Sequence, residues 1–311
     1  MCFRITLPPV DPTTFPCRWS YDSAQADWFI PRLHPFAQDV GSVIPEGFDA
    51  YCRIFHPAWR STRTKREKVR WSEVAAQTGR TVHPTMQFEF IRVPLAGQPG
   101  FTARELQEPY EGRMPSDELA VLTGHLRDAT TAPESCWFCI WEGYGQLHGG
   151  TVYLTGEAPG RPIRFDGTHV RIGPWTMSIP YVTERLVSER HRHTLNEWRR
   201  AATNAPPEYG NGARVEIPGR RYHLYTGTVD EAIVVDPGTN HPLMANMWWP
   251  EDRAWFVATE IDFTSTLVGA SKQVVDSILL DDRLEALPIA VTDQVTIDAD
   301  TINASAVGDS I

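Results

Sequence analysis

The sequence predicts an α+β fold: mixed or antiparallel sheets, about three main helices and long irregular connections. Three observations carry it. Runs of alternating, β-branched or aromatic residues recur around 50–56, 136–142, 214–225 and 253–263. Three stretches with helical character, 115–133, 182–203 and 269–287, are scattered among them. No regular strand–helix–strand alternation links the two sets, which argues against a doubly wound parallel sheet.

Taken in order, residues 1–40 are proline-rich and aromatic, with Trp19, Trp28 and Phe29, and predict irregular wrapping with at most one strand. In "GSVIPEGFDAYCRIFHPAW", Tyr51, Arg53 and Phe55 alternate with Ala50, Cys52, Ile54 and His56, the period of a strand. "RSTRTKREKVR" has no apolar period and reads as a solvated connection. "WSEVAAQTG" is a short helix that Ser72 would cap and Gly79 would end. "MQFEFIRV" reads as a strand. In "PSDELAVLTGHLRDATTAP", Ser116 is the expected N-cap, Asp117 and Glu118 suit the positive first turn, and Leu119, Leu122 and Leu126 share a face. "PESCWFCIWEGYG" is a strand that Gly143 and Gly145 break. "TVYLT", "HVRIG", "ARVEI", "RYHLYTG" and "RAWFVATEIDF" read as further strands. Residues 182–203 read as a long helix, and 269–287 as another with Val274, Ile278 and Leu279 inward.

Residues 1–290 therefore form one large α+β domain, with 145–150 as the place where two subdomains would meet. Residues 291–311 carry Asp293, Asp298, Asp300 and Asp309 with no Lys or Arg, and are expected to be a loose acidic tail.

Four stretches carry a resemblance. "VIPEGFDAYCRIFHP", "RWSEVAAQTG", "CWFCIWEGYG" and "WPEDRAWFVATEIDFTSTLVGAS" resemble segments of an uncharacterised family of actinobacterial proteins. The resemblance implies no activity, so no catalytic residue comes with it.

Composition excludes more than it assigns. A net charge of −10 and a pI of about 5.5 set nucleic acid and anionic membranes aside as expected partners. No apolar run approaches the roughly 20 residues that span a bilayer. Prolines interrupt the N-terminus before a signal-peptide core forms, so the cytoplasm is the expected compartment. Five cysteines at irregular spacing do not make a disulfide framework.

Each motif has a plain reading. Cys136 and Cys139 lack a second ligand pair for zinc, and strand alternation points their thiols to opposite faces, so both are expected buried, reduced and metal-free. Cys2 behind Met1 offers an N-terminal thiol but no companion motif. In "ERHRH", a helix brings only Glu189 and His193 together. The basic run 60–70, flanked by Trp59 and Trp71, is a soluble loop on an acidic protein. No dinucleotide fingerprint, phosphate loop or nucleophile elbow occurs.

The richest patch is "WFVATEIDFTSTLVGAS". Alternation puts Glu260 and Asp262 on one face, Thr264, Ser265 and Thr266 follow, and Ser271 opens a helix. Hydroxyls and free N–H groups at a helix start can hold an anion. Glu142 and Trp141 are the candidates from the other aromatic strand. The expected function is binding of a protein or small-molecule partner, with no cofactor named by the sequence. The alternative is a hydrolase- or transferase-like enzyme using these strand-end carboxylates, with or without a divalent cation. No metal site is expected among them.

Overall fold

In the computed structural model of the chain, the described residues are 2–7, 18–61, 66–102, 105–144, 150–155, 163–165, 169–172, 175–178, 212–234 and 243–308. Their centre is a nine-stranded antiparallel sheet. Its order is β11 (Arg214–Ile217), β12 (Arg220–Gly227), β6 (Cys136–Trp141), β15 (Met247–Pro250), β16 (Trp255–Ala258), β17 (Ser265–Ala270), β3 (Ala50–Phe55) and β18 (Ala286–Pro288). The ninth strand, β2 (Arg18–Trp19), pairs with the far part of β12. Four smaller groupings complete the strands. They are β1 (Cys2–Leu7) with β7 (Gly150–Thr155), and β4 (Ala58–Ser61) with β5 (Arg66–Val69). The others are β13 (Ile233–Val234) with β14 (Leu243–Met244), and a meander of β8 (Ile163–Phe165), β9 (His169–Ile172) and β10 (Trp175–Ser178). The α+β prediction holds.

The central strands are buried on both faces, which is why "MWWP", "WFVA" and "STLVGA" read as unbroken apolar or small runs rather than alternating ones. On one face lie α3 (Ser116–Asp128) and α4 (Lys272–Leu279). Leu119, Leu122, Leu126, Val275 and Ile278 pack there on Cys136, Phe138, Ile140 and Val257. On the other face the irregular segment 23–48 lays Phe29, Val40, Val43 and Ile44 over Cys139, Trp249, Phe256 and Ala258. Trp249 and Phe256 stack at 5.6 Å, and Trp248 meets Trp255 edge-on at 5.0 Å. Burying each such ring contributes on the order of 2–3 kcal/mol. Cys136 and Cys139 thus face opposite layers as unbonded thiols, as alternation required.

A third cluster joins Phe55, Trp71, Phe88 and Ile91 through α1 (Trp71–Thr78) and α2 (Phe88–Ile91). Gly79 ends α1 with φ 75°, as expected. Its start is capped from afar: the Glu285 carboxylate accepts from the backbone N–H groups of Trp71 (2.6 Å) and Ser72 (2.7 Å), so Ser72 is not the cap. Ser116 is likewise the first helical residue of α3, behind Pro115.

Three further expectations change. "MQFEFIRV" is not a strand; Phe88–Ile91 make a helical turn, because the buried Asp300 carboxylate takes the Gln87 N–H at 2.9 Å and Thr78 Oγ1 donates to the Ile91 carbonyl at 2.6 Å. Over its described residues the basic run is not just a solvated connection: it contributes to β4 and β5, which pair antiparallel. The acidic tail is not loose over its described residues. Val40 and Gly41 donate to the carbonyls of Asp293 and Val291, and α5 (Thr301–Gly308) follows Asp300 and contains Asn303, which are 0% and 2% exposed. The predicted helix 182–203, with Glu189 and His193, lies outside the described residues. Strands on both sides of 145–150 share the one sheet. Among the described residues no helix is long and apolar enough to cross a membrane.

Candidate functional site

At one end of the sheet β16 stops at Ala258 and turns through 259–264 into β17; the Phe263 N–H closes the turn on the Glu260 carbonyl at 3.0 Å. Across that end, the Pro218–Gly219 turn opens β12, and alternation puts Arg220 and Tyr222 on one face. Arg220 Nε meets the Glu260 carboxylate, and its Nη2 lies 2.9 Å from Asp262 Oδ2. Tyr222 donates its hydroxyl to Glu260 Oε1 at 3.2 Å, and the Ile261 N–H gives that oxygen a second bond at 3.0 Å. The Glu260 side chain is 7% exposed and that of Asp262 is 71% exposed. Burial raises the Glu260 carboxyl above its ordinary value, and Arg220 offsets part of this. Burial works against the Arg220 charge, but its two carboxylates outweigh it and hold the guanidinium above its usual value. Burial beside Glu260 pushes the Tyr222 phenol far up, so it stays a donor.

This ion pair is part of the wall of a cleft otherwise built mainly from Phe36, Val43, Ile217, Met247 and Ala258, with Ser42 and Asn246. As it stands, the cleft has room for about one water molecule. Asn246, 1% exposed, fixes its back wall. Its amide donates to the Thr259 carbonyl (3.1 Å) and the Tyr144 hydroxyl (3.0 Å), and its side-chain oxygen accepts from the Trp141 N–H (2.8 Å). Desolvation pushes the Tyr144 phenol up to about 12.

No protein-family model, curated protein or solved structure matches the chain.

Behind the turn lies a buried polar chain. His56, wholly buried, has Nδ1 2.9 Å from the Tyr110 carbonyl, so that nitrogen carries the proton; Nε2 then accepts from Thr266 Oγ1 at 2.9 Å. Thr259 Oγ1 lies 2.8 Å from Thr266 Oγ1 and continues the chain. Desolvation pulls His56 down to about 4. Beside it Arg53, 2% exposed, donates to Ser265 Oγ (2.9 Å) and to the carbonyls of Pro84 and Met86, and lies over the Phe55 ring.

The eight predicted residues thus separate. Glu260 and Asp262 come together, but through Arg220 rather than as a free pair. Ser265 and Thr266 are not turn hydroxyls; they sit inside β17, bonded to Arg53 and His56. Thr264 contributes its carbonyl to the His56 N–H at 2.9 Å. Ser271 caps α4 beyond the far end of β17, roughly 20 Å of strand away. That separation dissolves the expected anion site. Glu142 lies near Arg214 (3.2 Å) and Arg221 (3.4 Å), and Arg221 points to the opposite face from Arg220. Trp141 packs edge-on against Tyr144. Sequence reasoning missed Arg220, Tyr222, Asn246 and Phe36. The signal for the first two was "PGRRY", a turn followed by a charged residue in strand phase with a tyrosine. Nothing local marks Asn246 or Phe36.

Proposed function

We propose that the protein binds a small organic acid in this cleft. The carrying observation is the Arg220–Glu260 pair, desolvated among apolar side chains at the end of a sheet. A buried ion pair contributes little stability over an apolar replacement of the same volume, so stability alone is a weak reason to keep one in a cleft wall. Arg220 has one arm held by buried Glu260 and one by exposed Asp262. The second arm is the exchangeable one: a ligand carboxylate displaces Asp262 and takes the guanidinium, while its apolar body meets Phe36, Val43, Ile217 and Met247. Both carboxylates being committed to Arg220, the paired acid–base reading has no geometric support here.

Titration calorimetry with branched aliphatic and aromatic carboxylates, beside their isosteric amides, tests this. The acids are expected to bind about tenfold or more tightly than the amides. Asp262→Asn removes the internal competitor and is expected to tighten binding. Equal affinity for acids and amides, or no heat from either at any pH from about 6 to 9, defeats the proposal.

A further inference from the structure

The cleft is closed by the lobe that runs from His34 to Glu46. Phe36 projects from its tip, packs against Gly219 and lies with its ring 5.7 Å from the Arg220 guanidinium carbon. Ser42 and Val43, at its base, line the cleft directly. The base is tied down: Val40 and Gly41 donate to the tail carbonyls of Asp293 and Val291 at 2.8 Å each, and Glu46 N–H donates to the Arg32 carbonyl at 3.1 Å. The tip is held differently. Around it the chain makes few backbone bonds, the Gln38 N–H reaching Pro35 at a long 3.3 Å, and Ala37 adopts φ 59°, an uncommon value for a residue with a side chain.

What closes the tip on the base is His34. Its N–H donates to the Gly41 carbonyl at 2.8 Å. Its imidazole Nδ1 lies 2.8 Å from both oxygens of Asp39, and Nε2 lies 2.6 Å from Glu46 Oε1. A carboxylate at each ring nitrogen requires a proton on each, because a neutral imidazole has only one N–H to give. The ring also lies against the Gly41 backbone, where any Cβ would overlap it.

We propose that the 34–46 lobe is a pH-operated lid on the cleft, shut by the imidazolium of His34 and released when that ring loses its proton. The inference rests on the cleft being a binding site, and names how access to it is controlled. Once neutral, the ring presents a lone pair to one of its two carboxylates, and that contact turns repulsive. The tip carrying Phe36 then lifts from Arg220, and space for more than one water opens between Phe36, Ile217 and Met247.

The charged surroundings fit this direction. From the lobe itself Asp39 is buried and Glu46 exposed. From the preceding turn comes Arg32, whose guanidinium lies over Trp28. From the tail, the Asp293 carboxylate is occupied by the Ala290 N–H at 2.9 Å. From the β11–β12 turn comes Arg220, already paired with Glu260 and Asp262. The hydrogen bonds of Asp39 and then Glu46 raise His34 above its ordinary value, against a smaller effect of burial. A raised histidine stabilises the closed lobe fully below the ordinary histidine range and stops doing so as pH rises through the folded-state value. The lid is therefore shut in mild acid and opens towards alkaline pH.

Hydrogen exchange of the full-length protein, read by mass spectrometry at the tip, residues 34–39, and corrected for intrinsic rates, tests the lid without any ligand. Protection there is expected to fall about tenfold as pH rises from about 6 to 9, while α3 stays unchanged. His34→Gln is expected to leave the tip weakly protected at every pH. Glu46→Gln, which alters an exposed side chain, is expected to shift the opening to lower pH, an effect that a merely structural contact would not produce. Flat protection across pH in the parent, or an unshifted transition in Glu46→Gln, overturns the inference. The two proposals fail separately: a lid that opens with no carboxylate bound removes the ligand reading alone, and carboxylate binding with flat exchange removes the lid alone.

Discussion

Side chains that look equivalent in the chain have unequal weight in the fold. Glu260 and Asp262 sit two residues apart and share Arg220, yet one is buried and the other in water. Glu260→Ala leaves the Arg220 charge and the Tyr222 hydroxyl without their buried partner and is expected to cost roughly 3–5 kcal/mol. Asp262→Ala removes only a screened contact and is expected to shift stability by no more than about 0.5 kcal/mol. The turn's own N–H at Ile261 goes to Glu260, so Asp262 does not hold the turn. Urea midpoints of the two variants check this. His56 makes a pH prediction. Its value falls from 6.5 to about 4 on folding, so below pH 6.5 the unfolded chain takes up a proton that the folded one refuses. Its contribution is present above the unfolded value and is lost as pH falls towards the folded one, on the order of 3 kcal/mol in all. The stability gap between the parent and His56→Gln, measured by urea titration at several pH values, should narrow between pH 6.5 and 4.

Among the elements, the β16–β17 turn depends on a neighbour distant in sequence. The segment 110–113 lies against it. Gly112 donates its N–H to the Phe263 carbonyl at 2.8 Å with φ 67°, and a Cβ there would stand 2.8 Å from the Ile261 carbonyl oxygen. Gly112→Ala therefore meets both a backbone penalty and a fixed backbone atom. It is expected to destabilise by about 1–3 kcal/mol and to weaken carboxylate binding, since it pushes on the turn that carries Glu260. Thermal unfolding and calorimetry of the variant read the two effects. The neighbouring β4–β5 hairpin is braced in a similar way. Arg66 lies between the rings of Trp59 and Tyr110, and Lys68 pairs with Asp117 and Glu118 at the start of α3. Much of the basic run is thus engaged with its own fold.

For the molecule as a whole, the C-terminal segment acts as a fastener. Asp300 accepts from the Gln87 N–H and the Asn303 N–H and lies 2.9 Å from His83 Nε2. Asn303 receives the Thr81 N–H at its side-chain oxygen and Arg80 Nη1 at its carbonyl. Ending the chain after Val295 strands these donors at the base of α2. It is expected to lower the thermal midpoint by several degrees or more, as several buried donors lose partners at about 1–3 kcal/mol each. Calorimetry of the truncated chain decides this, and an unchanged midpoint would show that the segment is dispensable.

The sequence by itself determined what depends on near neighbours. The α+β class, the strand at 136–141 with its cysteines on opposite faces, the αL glycine after α1 and the leucine face of α3 all follow from period and backbone chemistry. Tertiary structure decided what depends on long loop closures. "MQFEFIRV" has strand composition, but Asp300, more than two hundred residues on, makes it helical. The tail has the composition of a loose segment, yet the Asp300 carboxylate, Asn303 and the Val291 and Asp293 carbonyls each meet a waiting donor and dock it. Arg220 and Glu260 are forty residues apart and meet only because β6 and β15 join β12 to β16 in one sheet. Composition and spacing report the local free energy of a segment; which buried donor meets which acceptor is fixed only when the whole sheet has closed.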